Sequence, residues 1–220
     1  MRKTGTIYGI NGPVIYLKGD TGFKMSEMVY VGEEKLVGEV ISLDKERTTI
    51  QVYEETSGLR PGEIVEASGE AVSVTLAPGI LDNIFDGIER PLERISEQAG
   101  AFITRGVSVD SLDLQKQWET HITVSEGDVL HGGDVIAEVP ETRAIVHKCM
   151  VPPDLGGTVV FAAEDGKYTI QDTIVTLELD DGTRKELTMA QRWPIRAARP
   201  VHDRIPASVP LITGQRILDT

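Results

Sequence analysis

The 220 residues are 40% hydrophobic and 26% charged, a globular composition long enough to bury a sizeable core, which excludes a chain disordered throughout. Lysine and arginine number 22 against 35 aspartates and glutamates, and the resulting net charge of −13 disfavours a general basic face for nucleic acid and direct adsorption to an anionic membrane. No apolar run approaches the ~18 residues of a membrane-spanning helix, and the start Met1-Arg2-Lys3-Thr4-Gly5 has no apolar stretch behind it, which predicts no secretory leader.

The first 76 residues read as short strands. Thr6 to Ile10, Val14 to Leu17, Met28 to Val31, Leu36 to Leu43 and Thr48 to Tyr53 are rich in β-branched and aromatic residues, and two shorter strands follow near Ile64-Val65 and at Val72 to Leu76. Turn signals separate them at Asn11-Gly12-Pro13, Lys18-Gly19-Asp20, Gly32-Glu33-Glu34 and Asp44-Lys45-Glu46. Close, even spacing of this kind predicts a small β-barrel or sandwich, and full closure into a barrel would remove the exposed strand edges. Residues 77–109 differ. Ala77-Pro78-Gly79 is a turn, Ile80 to Gly87 is a connector, and Pro91 to Gln98 predicts a short helix with Pro91 at its first position and Gly100 at its end.

Strand patterning returns from about Gln117. Glu119 to Val124, Asp134 to Val139, Arg143 to Lys148, Gly157 to Ala162, Tyr168 to Gln171 and Thr173 to Leu179 are the candidates, within a second β-rich unit at 110–188. Residues 189–220 are extended and Pro-broken, with basic Arg192 to Arg196 and Arg199-Pro200-Val201, and Ile217-Leu218 open an apolar helix face. The fold class expected is therefore mainly β: an N-terminal small closed barrel, a second β-rich domain and short helical connectors.

The chemistry legible in these residues is sparse. The phosphate-cradling pattern GxxxxGK followed by Ser or Thr does not occur, and Gly127, Gly132, Gly133, Gly156 and Gly157 read as turn glycines. A GxSxG elbow is absent too. Glu33-Glu34, Glu54-Glu55 and Asp180-Asp181 read as solvated turns or strand ends. Cys149, the single cysteine, excludes a disulfide within the chain and a cysteine-based zinc site, and it reads as an inert half-buried thiol. His121, His131, His147 and His202 never fall at i, i+3 or i, i+4 spacing and read as ordinary imidazoles rather than metal ligands. No catalytic, cofactor-binding or metal residue is assigned.

Gly133 to Ala144 resembles the hairpin of lipoyl and biotinyl carrier domains, and Pro152 to Val159 resembles their return strand. Arg143 stands where the modified lysine would be, and a guanidinium is a poor acyl acceptor. Lys148 falls on the following strand rather than in the turn. The resemblance implies a barrel-sandwich fold without its swinging arm, so an acyl-carrier role is disfavoured.

Three further segments resemble the rotary ATPase catalytic and regulatory subunits: Gly5 to Val14 with its Gly12-Pro13 turn, Thr56 to Glu63 with Gly58-Leu59-Arg60-Pro61-Gly62, and Leu76 to Leu92. Met150 to Asp154, Gln191 to Arg196 and Pro210 to Asp219 are similar to the catalytic A chain of V-type and A-type ATPases (ATP synthases), whose bulge, or non-homologous region, the F-type catalytic chains and the B chain lack. The resemblance spans essentially the whole sequence. It implies a front piece of a longer chain, ending at Thr220 shortly before the P-loop, whose parent binds Mg-ATP in the part that follows and couples ATP hydrolysis or synthesis to proton or sodium transport. This piece by itself is expected to be inactive and to bind no cofactor. The implied partners are the B subunits of an alternating A/B hexameric head, through a crown of barrels, and peripheral-stalk subunits, through the bulge. Neither nucleic-acid binding nor membrane insertion is implied, and the location implied is cytoplasmic, peripheral on a membrane through the complex. The alternative is a stand-alone binding module or assembly factor built from the same barrel and bulge.

Overall fold

A computed structural model describes residues 3–81, 83–100, 105–107, 109–200 and 206–219. Met1, Arg2, Asp82, Val201, His202 and Thr220, all within segments discussed above, lie outside the described residues.

Alternating apolar residues in the first third build strands with one face inward. These are β1 (Thr4–Asn11), β2 (Val14–Lys18), β3 (Glu27–Val31), β4 (Leu36–Leu43), β5 (Arg47–Val52) and β6 (Ile64–Ala71). Every neighbouring pair is antiparallel, in the order β1-β2-β5-β4-β3-β6, and pairing of Thr4 to Thr6 with Ile64 to Glu66 closes the barrel. The period-2 rule puts Ile15, Leu17, Val29, Val31, Val40 and Ile50 inside, each at 0% exposure. Irregular registers at Ile7/Gly9, Glu27/Val29 and Val40/Ser42 bend the strands as a small closed barrel requires. β6 runs further than its sequence suggests. Ser68-Gly69-Glu70 has turn composition, yet the buried carboxylate of Glu27 accepts the Gly69 N–H at 3.0 Å and the Lys24 N–H at 2.7 Å, and so holds the strand through the break.

β7 (Ser73–Leu76) leaves the barrel instead of adding to it. It pairs with β16 (Gln191–Pro194), Ser73 opposite Pro194 and Leu76 opposite Gln191. Between Ala67, the last apolar residue of the barrel core, and fully buried Ala77, the chain crosses into a second core. Helix α1 (Leu92–Ala99) follows, with Pro91 as N-cap rather than first helical residue, and Gly100, at φ 79°, donating its N–H to the Ser96 carbonyl.

The second unit is two four-stranded sheets. One has the order β11 (Val146–Met150), β10 (Val135–Pro140), β8 (Trp118–Ile122) and β13 (Gly166–Tyr168); the other runs β15 (Arg184–Leu187), β14 (Val175–Glu178), β12 (Gly157–Ala162) and β9 (Val129–Leu130). Ile136, Val139, Val159, Ile174, Val175 and Leu177 lie in their shared core, which Ala77 and Leu112 join from the connector. The expected mainly-β architecture, a closed barrel followed by a barrel sandwich, is the one observed. A short α2 (Arg216–Asp219) ends the described chain, and no described helix is long and apolar enough to cross a membrane.

Candidate functional site

The motif glycines serve the fold. Gly12 (φ 57°) turns β1 into β2, and Gly62 (φ 101°) donates its N–H to the Ile7 carbonyl, which ties the Gly58-to-Gly62 turn to the barrel wall. The Arg60 N–H is accepted by Glu63 at 2.8 Å, closing that turn. A Cβ on Gly132 would strike the Pro153 carbonyl, and one on Gly157 would strike that of Glu178. Gly132 and Gly157 thus permit close backbone packing, while Gly12 and Gly62 supply the positive φ of their turns.

The carrier-like hairpin is pinned rather than free. Arg143 is exposed in its turn, and Lys148 is exposed on β11 opposite Glu138. Beside them Glu141, its side chain 2% exposed, accepts the N–H groups of Gly79 at 2.7 Å and Leu81 at 2.9 Å, while His147 Nδ1 lies 3.1 Å from its other oxygen. Cys149 faces the core, its thiol pushed up to about 12 by burial and then by the Glu141 charge. His121 pairs with Asp165 at 2.6 Å, and His131 lies 3.8 Å from Asp134. Among the described residues no three His, Cys, Asp or Glu side chains gather to hold a metal ion. An open groove of about 700 Å³ runs past Met150, Pro152, Leu187 and Trp193.

The most organised charge in the molecule lies where the barrel meets the rest of the chain. Glu54 is not a solvated strand end. Its side chain is 6% exposed, pairs with Arg90 at 3.1 Å and accepts the Gly106 N–H at 2.9 Å. Arg90 also binds Asp86 at 2.7 Å. Burial opposes ionisation of Asp86, but the backbone and side-chain N–H groups of Arg90 outweigh it and hold the carboxyl below its usual range. Next to Glu54, the Tyr53 hydroxyl donates to Glu39, whose carboxylate is 1% exposed and is gripped at both oxygens by Arg196, at 2.7 Å for Nη2. The Arg196 hydrogen bond lowers the Glu39 pKa, and burial followed by the Glu39 contact pushes the Tyr53 phenol up to about 12. Sequence reading misses this cluster, because its partners lie up to 157 positions apart. The available signal is Glu39 itself, the one charged residue in a strand made mostly of Leu, Val and Ile.

Two family models match the chain: the beta-barrel domain of the ATP synthase alpha/beta family over residues 7–69, and the barrel-sandwich domain of the ATP synthase alpha/beta subunit over residues 109–196. The chain is 48% identical over its full length to a V-type ATP synthase alpha chain of Halothermothrix orenii, 37% of which it covers. It is 50% identical over 98% of its length to the A subunit of the A-type ATP synthase of Methanopyrus kandleri, covering 36% of that chain. Against the corresponding A-type ATP synthase protein of Pyrococcus abyssi it is 50% identical over its full length and covers 22%. The chain thus spans little more than a third of the first two relatives and under a quarter of the third. The match to both β-domains and the identity along the whole chain show that it belongs to the ATP synthase alpha/beta family, aligning with the N-terminal part of the V/A-type A subunit.

Proposed function

We propose that this chain is the assembly and stator-contact portion of a V/A-type catalytic A subunit, in a complex that couples ATP hydrolysis or synthesis to proton or sodium transport. The observation that carries the proposal is the succession of closed barrel and barrel sandwich on one chain, at about 50% identity to V/A-type A subunits throughout. In this reading 1–76 forms a crown with the barrels of B subunits, and the bulge at 110–188 faces the peripheral stalks. Residues 77–109 are the connector at the start of the nucleotide-binding domain, and 189–220 are the return segment that leads towards its P-loop part. Mg-ATP belongs to the parent chain beyond these residues, which supply no catalytic, cofactor or metal ligand of their own. The complex holds the chain at a membrane from the cytoplasmic side.

The test is to mix the 220-residue chain with the B subunit of a V/A-type ATP synthase, then measure complex mass by light scattering. A defined species of this chain with the B subunit is the expected result, with no ATP turnover and no saturable Mg-ATP binding by calorimetry from the chain alone. Micromolar Mg-ATP binding by the isolated chain would overturn the division of labour. Failure to associate with the B protein would favour a free-standing module.

A further inference from the structure

We propose that Glu39, Tyr53 and Glu54 form a charge latch that seats both the outgoing and the returning chain on one end of the barrel. Adjacent residues just past β5 reach the two segments separately. Glu54 holds the outgoing connector through Arg90 and the Gly106 N–H, while Tyr53 completes the site in which Glu39 holds the returning segment through Arg196. The returning segment carries its own internal contacts. The Trp193 indole N–H donates to the Ala197 carbonyl at 2.8 Å, the Ala197 N–H donates to the Pro194 carbonyl at 3.0 Å, and the Arg199 guanidinium lies 4.5 Å from the Trp193 ring centroid. That turn presents Arg196 to the barrel while the Ile195 N–H binds the Val72 carbonyl at 3.0 Å.

The chemistry suits a latch. Bidentate guanidinium–carboxylate contact is strong and directional. The Glu39 carboxylate lies on the outward face of β4, beside inward-facing Val40, and is 1% exposed under its contacts with Arg196 and Tyr53, whereas Arg196 itself is 57% exposed and leaves without disturbing the barrel interior. One cluster therefore fixes how the barrel sits on the downstream chain. The latch is independent of whether the chain assembles with a B-type partner.

Hydrogen exchange on the 220-residue chain, read by mass spectrometry, tests it. With Arg196→Gln, amides at 72–76 and 191–199 are expected to exchange about tenfold faster or more, because a local opening loses its closing contact, while those at 14–18 and 47–52 stay unchanged. Arg196→Lys, with one ammonium in place of a fork, should fall between. Glu39→Gln with Arg196→Gln should cost less protection than the two single changes summed, since they remove one interaction. Unchanged exchange at 191–199 in Arg196→Gln, or equal loss in the barrel amides, overturns the latch.

Discussion

Gly62 and Gly157 are constrained for opposite reasons, and the difference is measurable. At φ 101° Gly62 occupies backbone space that a side chain disfavours, yet a Cβ there would meet nothing within 4 Å. Gly157 has no such φ, but its Cβ would collide with the Glu178 carbonyl of the paired strand. Gly62→Val should therefore destabilise the barrel through backbone strain alone, by ~1 kcal/mol or more, and lower the melting midpoint by about 2–4 °C. A midpoint equal to the parent's would refute the turn assignment. Cys149 gives a second residue-scale test. A thiol facing the core and raised to about 12 is almost wholly protonated near neutrality. The native chain should resist a disulfide-exchange reagent at mildly alkaline pH and take up one equivalent in denaturant; rapid labelling of native chain would mean that the β11 face opens.

Among elements, the β10–β11 hairpin shows how a shared fold changes use. Its sequence resembles that of a carrier hairpin, but Glu141 places one oxygen on the connector N–H groups and the other on His147. Glu141→Ala would leave the Gly79 and Leu81 N–H groups without that acceptor, at a cost of ~1–3 kcal/mol, and Glu141→Gln should retain part of it because an amide oxygen still accepts. Chemical denaturation of the three proteins checks the order; equal stability would show that water replaces the carboxylate at no cost. The same hairpin marks what is legible in the sequence. Gly133, the apolar run to Val139 and the Arg143 turn are local features, as are the alternating strands of the barrel. β9 is two residues long, and β15 is an edge strand whose only buried residue is Leu187, so neither has a periodicity to read. The β7–β16 pair joins segments more than a hundred residues apart, and nothing in Ser73 to Leu76 distinguishes a barrel strand from one that leaves it. Glu54 reads as solvated for the same reason: its burial is made by Arg90 and Gly106, not by its neighbours in sequence.

For the whole molecule, two hydrophobic cores are tied together largely by carboxylates, which makes their coupling sensitive to acid. Glu39 and Asp86 both have folded pKa values below their ordinary ones, 4.5 and 3.8. For a depressed carboxyl, the stabilisation is present above the unfolded value and is lost as pH falls through the folded one. The groups facing them are cations or a neutral phenol: Arg196 and Tyr53 at Glu39, and Arg90 at Asp86, where Glu54 is the other carboxylate on Arg90. Neither Arg titrates in this range, so acid removes only the negative partner and leaves guanidinium groups without counter-charge. The cores themselves are built on Ile, Val and Leu, which acid does not alter. Calorimetry should then show barrel and sandwich melting together near neutral pH and as two resolved transitions once the pH has fallen through the lowered pKa values of Glu39 and Asp86, with the joint transition unweakened above the ordinary 4.5. Glu39→Gln, uncharged at every pH, should show part of this separation already at neutrality. A single shared transition in both proteins at neutral and at acid pH would mean that the charge pairs do not couple the two halves.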